Sequence, residues 1–211
     1  MLNSKQIQEL LIKIADMFIE KQDELSKLDA IIGDGDHGVT MARGAKAAKE
    51  KVLALEEGSC REYFKTYGRT LISTLGGAMG PLYGSIFLEI SKACKGKETV
   101  SLGEFSEGFN NGMLKVMELG GAKVGDKTMI DSIHPTVEAL GKAKNEGKNL
   151  VDGFEIAVSA AKEGVNNTIP LIARRGRSRY LQEKAIGHQD AGATSFSYLI
   201  KTIYEYLKDM K

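Results

Sequence analysis

The sequence contains few cysteines and no excess of charge of either sign. Its two cysteines, Cys60 and Cys94, lie far apart in the sequence, which argues against a zinc cluster or a disulfide framework. There are 29 lysines and arginines against 28 aspartates and glutamates, so the net charge of +1 gives no general attraction to nucleic acid or to a membrane. We therefore expect no direct nucleic-acid partner.

Long apolar runs are also missing. The N-terminal stretch MLNSKQIQELLIKIADMFIEK has charges within its apolar part, so it cannot be the core of a signal peptide. No run approaches the roughly 20 apolar residues that span a bilayer. We expect a cytoplasmic protein without a membrane partner, and its 211 residues suffice for a single domain, residues 1–211.

Apolar residues recur at helical spacing along most of the chain. Strand-like alternation is nearly absent, and Pro135 predicts a kink or a late start in its helix. The pattern predicts an all-α single domain of about eight largely antiparallel amphipathic helices. These helices are expected at about 4–27, 39–56, 60–75, 82–95, 101–119, 128–145, 149–173 and 194–209.

The stretch GDGDHG at 33–38 has the letters of the dinucleotide-binding pattern G-x-G-x-x-G. A Rossmann turn needs flanking buried strands, but only LDAII precedes it, and Asp34 and Asp36 would repel a bare pyrophosphate. A calcium loop of the EF-hand type also fails, because Gly38 and Val39 occupy its fifth and sixth positions and Ala45 its twelfth. Neither motif explains the segment.

Metal binding explains its charge better. Asp29, Asp34 and Asp36 place three carboxylates within eight residues, around glycines that allow a tight turn. Mg²⁺ prefers oxygen ligands and commonly combines protein carboxylates with substrate phosphates, so the trio would hold two such ions. The alternative is that these aspartates are ordinary turn and capping residues.

Three further polar loops favour the metal hypothesis. GGAMGPLYG at 76–84 runs into a helix start, where free N–H groups suit phosphate, although the lysine of a Walker motif is missing from it. GGAKVGDKTMID at 120–131 offers Asp126 and Thr128 as ligand contacts or as helix caps. The segment at 173–195 is rich in arginine and appears irregular over 176–192. Together the four loops predict a nucleotide site at one end of a helical bundle.

These segments strongly resemble the nucleotide-binding L subunit (DhaL) of dihydroxyacetone kinases. The matching stretches are LDAIIGDGDHG, GGAMGPLYG, GDKTMID and GRSRYLQEKAIGHQDAGATS, which together run from residue 28 to residue 195. The resemblance implies a barrel of eight antiparallel helices, with a nucleotide and two Mg²⁺ ions at one rim. It assigns the metal to Asp29, Asp34 and Asp36. It assigns nucleotide contacts to His37, Gly38, Val39, Thr40, Ala78, Met79, Gly120, Met129, Arg177, Asp190, Ala191 and Gly192.

The family also implies a reaction and partners. A separate K subunit holds the sugar, and a phosphohistidine subunit, M, rephosphorylates ADP that stays bound to L as a cofactor. Phosphoryl transfer depends mainly on positioning and charge neutralisation, so we assign Arg177 the catalytic role of offsetting developing charge. We expect His37 and His188 to contact phosphate or support their loops, without carrying a phosphoryl group.

Several alternatives stay open. In the ATP-dependent form of these kinases the nucleotide exchanges freely, and the length of this chain favours the phosphotransferase-dependent form instead. Family members also bind a transcription regulator, and the related helical barrel of fatty acid kinases is a more distant candidate. A homodimer is an alternative to a monomer. Met79, Arg179 and Ala191 depart from the residues usual in the family, and we expect them to alter affinity or the choice of sugar.

Overall fold

The computed structural model describes residues 1–210, and within them the chain forms nine α-helices and one 3₁₀ segment. The 3₁₀ segment covers Arg177–Ala185 and is interrupted at Gln182, where the backbone leaves the helical region. The α-helices are Ser4–Glu20 (α1), Gln22–Ile32 (α2), His37–Leu53 (α3), Cys60–Thr74 (α4), Met79–Ala93 (α5), Leu102–Gly120 (α6), Ile130–Asn145 (α7), Leu150–Thr168 (α8) and Ala191–Asp209 (α9). The predicted all-α class is confirmed.

Eight of these helices form a closed ring. Each of α3 to α8 packs against its successor in the chain, α1 packs against α3, and the contact between α9 and α1 closes the barrel. The remaining helix, α2, packs on α3 and α9 outside that order. Every ring helix turns an apolar stripe inward, and the barrel interior includes an aromatic cluster in which Phe105 meets Phe154 edge-to-face at 5.3 Å between ring centroids.

Local sequence explains where several helices begin. Helices α1, α4 and α6 start with capping boxes at Asn3, Ser59 and Ser101, whose side chains accept hydrogen bonds from amides of the first turn. Pro81 is the third residue of α5, where its missing N–H costs no helical hydrogen bond. Within the described residues, no helix combines the length and apolar character that crossing a bilayer requires.

Some predicted boundaries are wrong. The single helix expected at 4–27 is divided at Lys21 into α1 and α2, because the chain must turn to bring α2 against α3. The helix expected at 149–173 ends at Thr168, and the segment expected to be irregular at 176–192 contains the 3₁₀ turns. Pro135 does not cause a late start, since α7 begins at Ile130 and runs through it, whereas the kink at Pro135 stays a prediction.

Candidate functional site

A cavity of about 700 Å³ opens at one end of the barrel, where the alternate helices α3, α5, α7 and α9 begin. Its volume is in the range of small-molecule sites. Its wall combines acidic, basic and glycine residues with apolar side chains. The apolar part is formed by Ile32, Leu82, Tyr83, Val116, Ala122, Met129 and Ile130.

The three predicted metal ligands meet at this cavity. One oxygen from each of Asp29, Asp34 and Asp36 lies within 4.8 Å of the other two. Gly33 permits the turn, because a Cβ atom there would lie 2.3 Å from Asp29 Oδ1. Gly35 adopts φ +76°, which side-chain-bearing residues rarely adopt. The acidic turn therefore depends on its glycines.

Electrostatic repulsion is built into the acidic turn. Burial, followed by the neighbouring charge of Asp34, raises the pKa of Asp29, although the backbone N–H groups of the turn partly oppose this. Burial raises the pKa of Asp36 too, with Asp34 and Asp29 adding to the shift. A bound cation would relieve this repulsion, and hard carboxylate oxygens at this spacing fit Mg²⁺.

Arg177 reaches the acidic turn from the 3₁₀ segment. Its Nε lies 2.9 Å from Oδ2 of Asp34, so this arginine and the carboxylates share one part of the cavity wall. Arg174 and Arg175 are largely exposed and pair with Asp126 at 4.0 and 3.7 Å. Arg175 also lines the cavity.

The glycine-rich loop at 76–78 borders the same cavity with Gly76, Gly77 and Ala78, and Met79 opens α5 beside them. Among the described residues, the side chain of Ala78 gives the first amides of α5 no cap. The start of α3 differs, because the His37 and Val39 amides donate to Asp29 Oδ2 and Ser26 Oγ at 3.4 and 3.3 Å. Uncapped helix starts supply N–H groups and a partial positive charge to an anion.

The predicted nucleotide contacts lie on the cavity wall with one exception. Gly38 is buried against α2 instead, where a Cβ atom would lie 1.9 Å from the carbonyl oxygen of Gln22. His37 lines the cavity but is largely buried, and this burial lowers its pKa to about 4. His188 is exposed, and its carbonyl oxygen accepts a hydrogen bond from Lys127.

The loop at 120–131 is organised differently from the sequence prediction. Asp131, inside α7, accepts hydrogen bonds from the backbone N–H groups of Gly125 and Thr128 at 2.5 and 2.8 Å. Asp126, proposed as a cap, instead accepts from the Lys123 amide and pairs with the arginines above. Thr128 accepts from the Ile130 amide at 3.2 Å, as a residue at a helix start does, and it also lines the cavity, where its contact with a ligand stays a prediction.

Lys127 is a site residue that the sequence reasoning missed. It is 1% exposed and lines the cavity, in the left-handed backbone conformation with φ +60°. Its ammonium group donates to the carbonyl oxygens of Thr168 and His188 at 2.6 and 2.5 Å. The sequence GDKT around Lys127 indicates a turn but no binding role for the lysine. The carbonyl groups that accept its hydrogen bonds are more than 40 residues away in the chain. Tyr83 and Ser195 were missed for the same reason.

Comparison with known proteins places this architecture among the helical barrels of dihydroxyacetone kinases. Over 94% of its length the chain superimposes, with a TM-score of 0.72 and 24% identity, on the crystal structure of the dihydroxyacetone kinase from C. freundii in complex with AMP-PNP and Mg²⁺. The chain spans about a third (33%) of that kinase. At this identity the likeness concerns the fold alone.

Comparison with sequence relatives identifies the family of the chain. The model of the DAK2 domain matches residues 31–205, and the chain belongs to this family. It is 37% identical to the ADP-binding subunit DhaL of the PEP-dependent dihydroxyacetone kinase of Escherichia coli K12, with 96% of each chain covered. It is also 37% identical to the ADP-binding subunit DhaL of the PTS-dependent dihydroxyacetone kinase of Lactococcus lactis, over 93% of this chain and 94% of that one. The predicted resemblance to DhaL is confirmed.

Proposed function

We propose that this protein is the ADP-binding subunit of a kinase that phosphorylates dihydroxyacetone or a related small ketose. The observation that carries the proposal is the convergence of Asp29, Asp34, Asp36, Arg177 and the uncapped start of α5 on one cavity. The full-length relatives named as ADP-binding subunits support it. Residues 1–211 would then form one nucleotide-binding domain, acting in the cytoplasm.

The acidic turn would hold Mg²⁺. Asp29, Asp34 and Asp36 offer oxygens within 4.8 Å of one another, a spacing that ligands of one ion can adopt. Each carboxylate has two oxygens, and the trio would therefore serve two ions when phosphates complete the ligand sets. Bound Mg²⁺ would neutralise and orient the phosphate oxygens. Arg177 would lie beside them because it already contacts Asp34.

The remaining wall would hold the nucleotide. The apolar part of the wall, including Leu82, Val116 and Met129, suits a purine base, and the helix start at Ala78 suits phosphates. Thr40 lines the same cavity and would contact the nucleotide through its side chain. Arg177 would offset charge that develops on the transferred group. A nucleophile of the chain's own is unnecessary for this chemistry, since donor and acceptor come from other molecules.

Two partner subunits complete the proposed reaction. A K-type subunit would present the sugar, and an M-type phosphohistidine subunit would return the phosphoryl group to ADP held on this chain. Relatives named as PEP-dependent and PTS-dependent support this form over an ATP-consuming kinase with exchangeable nucleotide. A regulatory contact with a transcription factor and a homodimer remain secondary proposals.

The decisive experiment examines the protein as purified without added nucleotide. After denaturation, chromatography and mass spectrometry identify the released molecules. Stoichiometric ADP that survives dialysis supports the cofactor role. A protein that binds added Mg-ATP and exchanges it quickly indicates the ATP-consuming form, and absence of any binding overturns the proposal.

A variant tests the metal assignment. Asp34→Ala should abolish magnesium-dependent nucleotide retention and leave helical content by circular dichroism unchanged, because Asp34 lies in the turn between α2 and α3. Asp209→Asn, an exposed aspartate at the end of α9, is the control and should bind as the wild type does. Retention by wild-type protein after chelation of the metal would contradict the assignment.

A further inference from the structure

The hydroxyl of Ser195 lies at a junction beneath the cavity. Ser195 is fully buried on the first turns of α9, and its Oγ lies 2.8 Å from Nε2 of His37 and 2.5 Å from the hydroxyl of Tyr83. It also lies 3.0 Å from the carbonyl oxygen of Gly192, to which it can donate. We call these four residues the Ser195 network.

Each partner in this network belongs to a different part of the site. His37 is the first residue of α3 and follows the acidic turn, and its own amide lies 3.4 Å from Asp29 Oδ2. Tyr83 lies on α5, one turn beyond the glycine-rich loop. Gly192 is in the first turn of α9 and lines the cavity. One hydroxyl thus connects three of the four helix starts that form the cavity.

The hydrogen bonds of the network are satisfied in either of two arrangements. If His37 Nε2 lacks a proton, Ser195 donates to it and Tyr83 donates to Ser195. If His37 Nε2 carries the proton, His37 and Tyr83 both donate to Ser195, which donates in turn to the Gly192 carbonyl. Both arrangements are neutral, in agreement with the burial of these groups, and in both Ser195 is the shared member.

We propose that Ser195 is a positioning residue, whose hydroxyl fixes the starts of α3, α5 and α9 relative to one another without contacting the bound molecule. Its burial supports the indirect role, since Ser195 is 0% exposed, whereas His37 and Tyr83 lie on the cavity wall. The inference also limits how His37 can contact phosphate, because its Nε2 is hydrogen-bonded to Ser195 and only the other side of the ring is free. This role rests on the proposed nucleotide site.

The test compares serine variants that lose the same chemical group. Ser91 is a matched control: it is 3% exposed on α5 and donates to the carbonyl of Arg61 at 2.9 Å. It lies twelve residues after Met79, about 18 Å along the helix at 1.5 Å per residue. Calorimetric titration with Mg-ADP should show about tenfold weaker binding for Ser195→Ala and a change within about twofold for Ser91→Ala.

A second readout reports the network itself. In nucleotide-free protein labelled with ¹⁵N-histidine, Ser195→Ala should shift the His37 ring-nitrogen signals. His134, half-buried on α7, provides an internal reference, and Ser91→Ala should leave both sets of signals unchanged. Should Ser195→Ala fail to fold, Tyr83→Phe removes one oxygen and keeps the ring against Phe18, at 5.9 Å between centroids. It should shift the His37 signals and weaken binding in the same direction.

The two proposals fail separately. Wild-type protein that binds no Mg-ADP overturns the nucleotide site. The positioning role is overturned, while the nucleotide site stands, by either of two results. One is that Ser195→Ala keeps the wild-type affinity for Mg-ADP, and the other is that neither the Ser195 variant nor the Tyr83 variant shifts the His37 signals.

Discussion

The guanidinium of Arg177 lies 2.9 Å from a carboxylate oxygen of Asp34, and this contact joins the 3₁₀ segment to the acidic turn. The arginine side chain is 70% exposed and that of the aspartate 34%. Ion pairs this accessible contribute little to folding, because water and salt screen them. The contact therefore serves to position Arg177 beside the residues proposed to hold metal.

Replacement of Arg177 should consequently separate activity from stability. For Arg177→Ala we expect phosphoryl transfer in the complete kinase complex to fall by about 10²-fold or more, because one charge-stabilising donor is lost. The free energy of unfolding should change by less than about 1 kcal/mol. Turnover with saturating partner subunits and urea denaturation measure the two quantities.

Arg174→Ala is the matched control. Arg174 is similarly exposed, at 68%, and its nearest carboxylate is Asp126, at 4.0 Å. It should retain most of the turnover. Equal losses in the two variants would show that the general positive charge of this surface matters and that the position of Arg177 does not.

The close packing of α7 against α8 gives a stability prediction. Gly164 sits where a Cβ atom would lie 2.3 Å from the carbonyl oxygen of Asp131 and 2.7 Å from Cα of Ser132. Backbone cannot move aside cheaply, so Gly164→Ala should lower the free energy of unfolding by about 2 kcal/mol or more. Chemical denaturation measures it.

Gly141 provides the opposite case on α7. Among the described residues, nothing beyond the chain neighbours of Gly141 and the backbone of its own helix lies within 4 Å of the Cβ position at Gly141. Gly141→Ala should therefore stabilise the protein by about 0.5–1 kcal/mol through helix propensity. If both alanines destabilised equally, the packing explanation for Gly164 would be wrong.

The raised pKa of Asp190 predicts that the stability of the protein depends on pH. It caps α9 by accepting from the Ala193 amide at 2.7 Å, and burial raises its pKa to about 7. In the unfolded chain an aspartate titrates near about 3.9. Because the folded pKa is the higher one, this contribution to stability is complete below about pH 4 and is lost as the pH rises through about 7.

Asp190→Asn isolates that effect, since an asparagine keeps the capping oxygen and does not titrate. In metal-free protein, the free energy of unfolding of the wild type should fall relative to the variant by at least about 1 kcal/mol between about pH 5 and pH 8. Parallel pH profiles for the two proteins would show that Asp190 has an ordinary pKa.

Much of the fold could be predicted from the sequence because each ring helix has its own apolar stripe and several have their own caps. Asn3, Ser59 and Ser101 act within a few residues of themselves, so their role is visible in sequence. The break at Lys21 is different. It follows from the packing of α2 on α3, which depends on the contact of Gly38 with Gln22, and a helical pattern cannot show that contact.

The site residues also differ in how far the sequence alone could predict them. Asp29, Asp34 and Asp36 are close in the chain, so their proximity in space could be predicted from the glycines between them. Lys127 and Ser195 act on groups up to 158 residues away, and both are buried polar residues whose surroundings only the closed barrel defines. Local spacing suggested Asp126 as a helix cap or a ligand contact, and the structure pairs it with the distant Arg174 and Arg175.

Lys127 ties two distant segments to the cavity. Its ammonium donates to the carbonyl oxygen of Thr168 at the end of α8 and to that of His188, just before α9. Lys127→Met keeps the length of the side chain and removes the donor, which leaves these carbonyls without their charged partner. We expect faster amide hydrogen exchange across 176–190 and about tenfold weaker Mg-ADP binding.

Lys123→Met is the control, because Lys123 is exposed in the same loop. It should leave both exchange and binding close to those of the wild type. The location of the change decides the interpretation: faster exchange confined to 176–190 supports the tie through the His188 carbonyl, whereas uniformly faster exchange along α7 and α8 would mean that Lys127 supports the barrel as a whole and contradict the specific role.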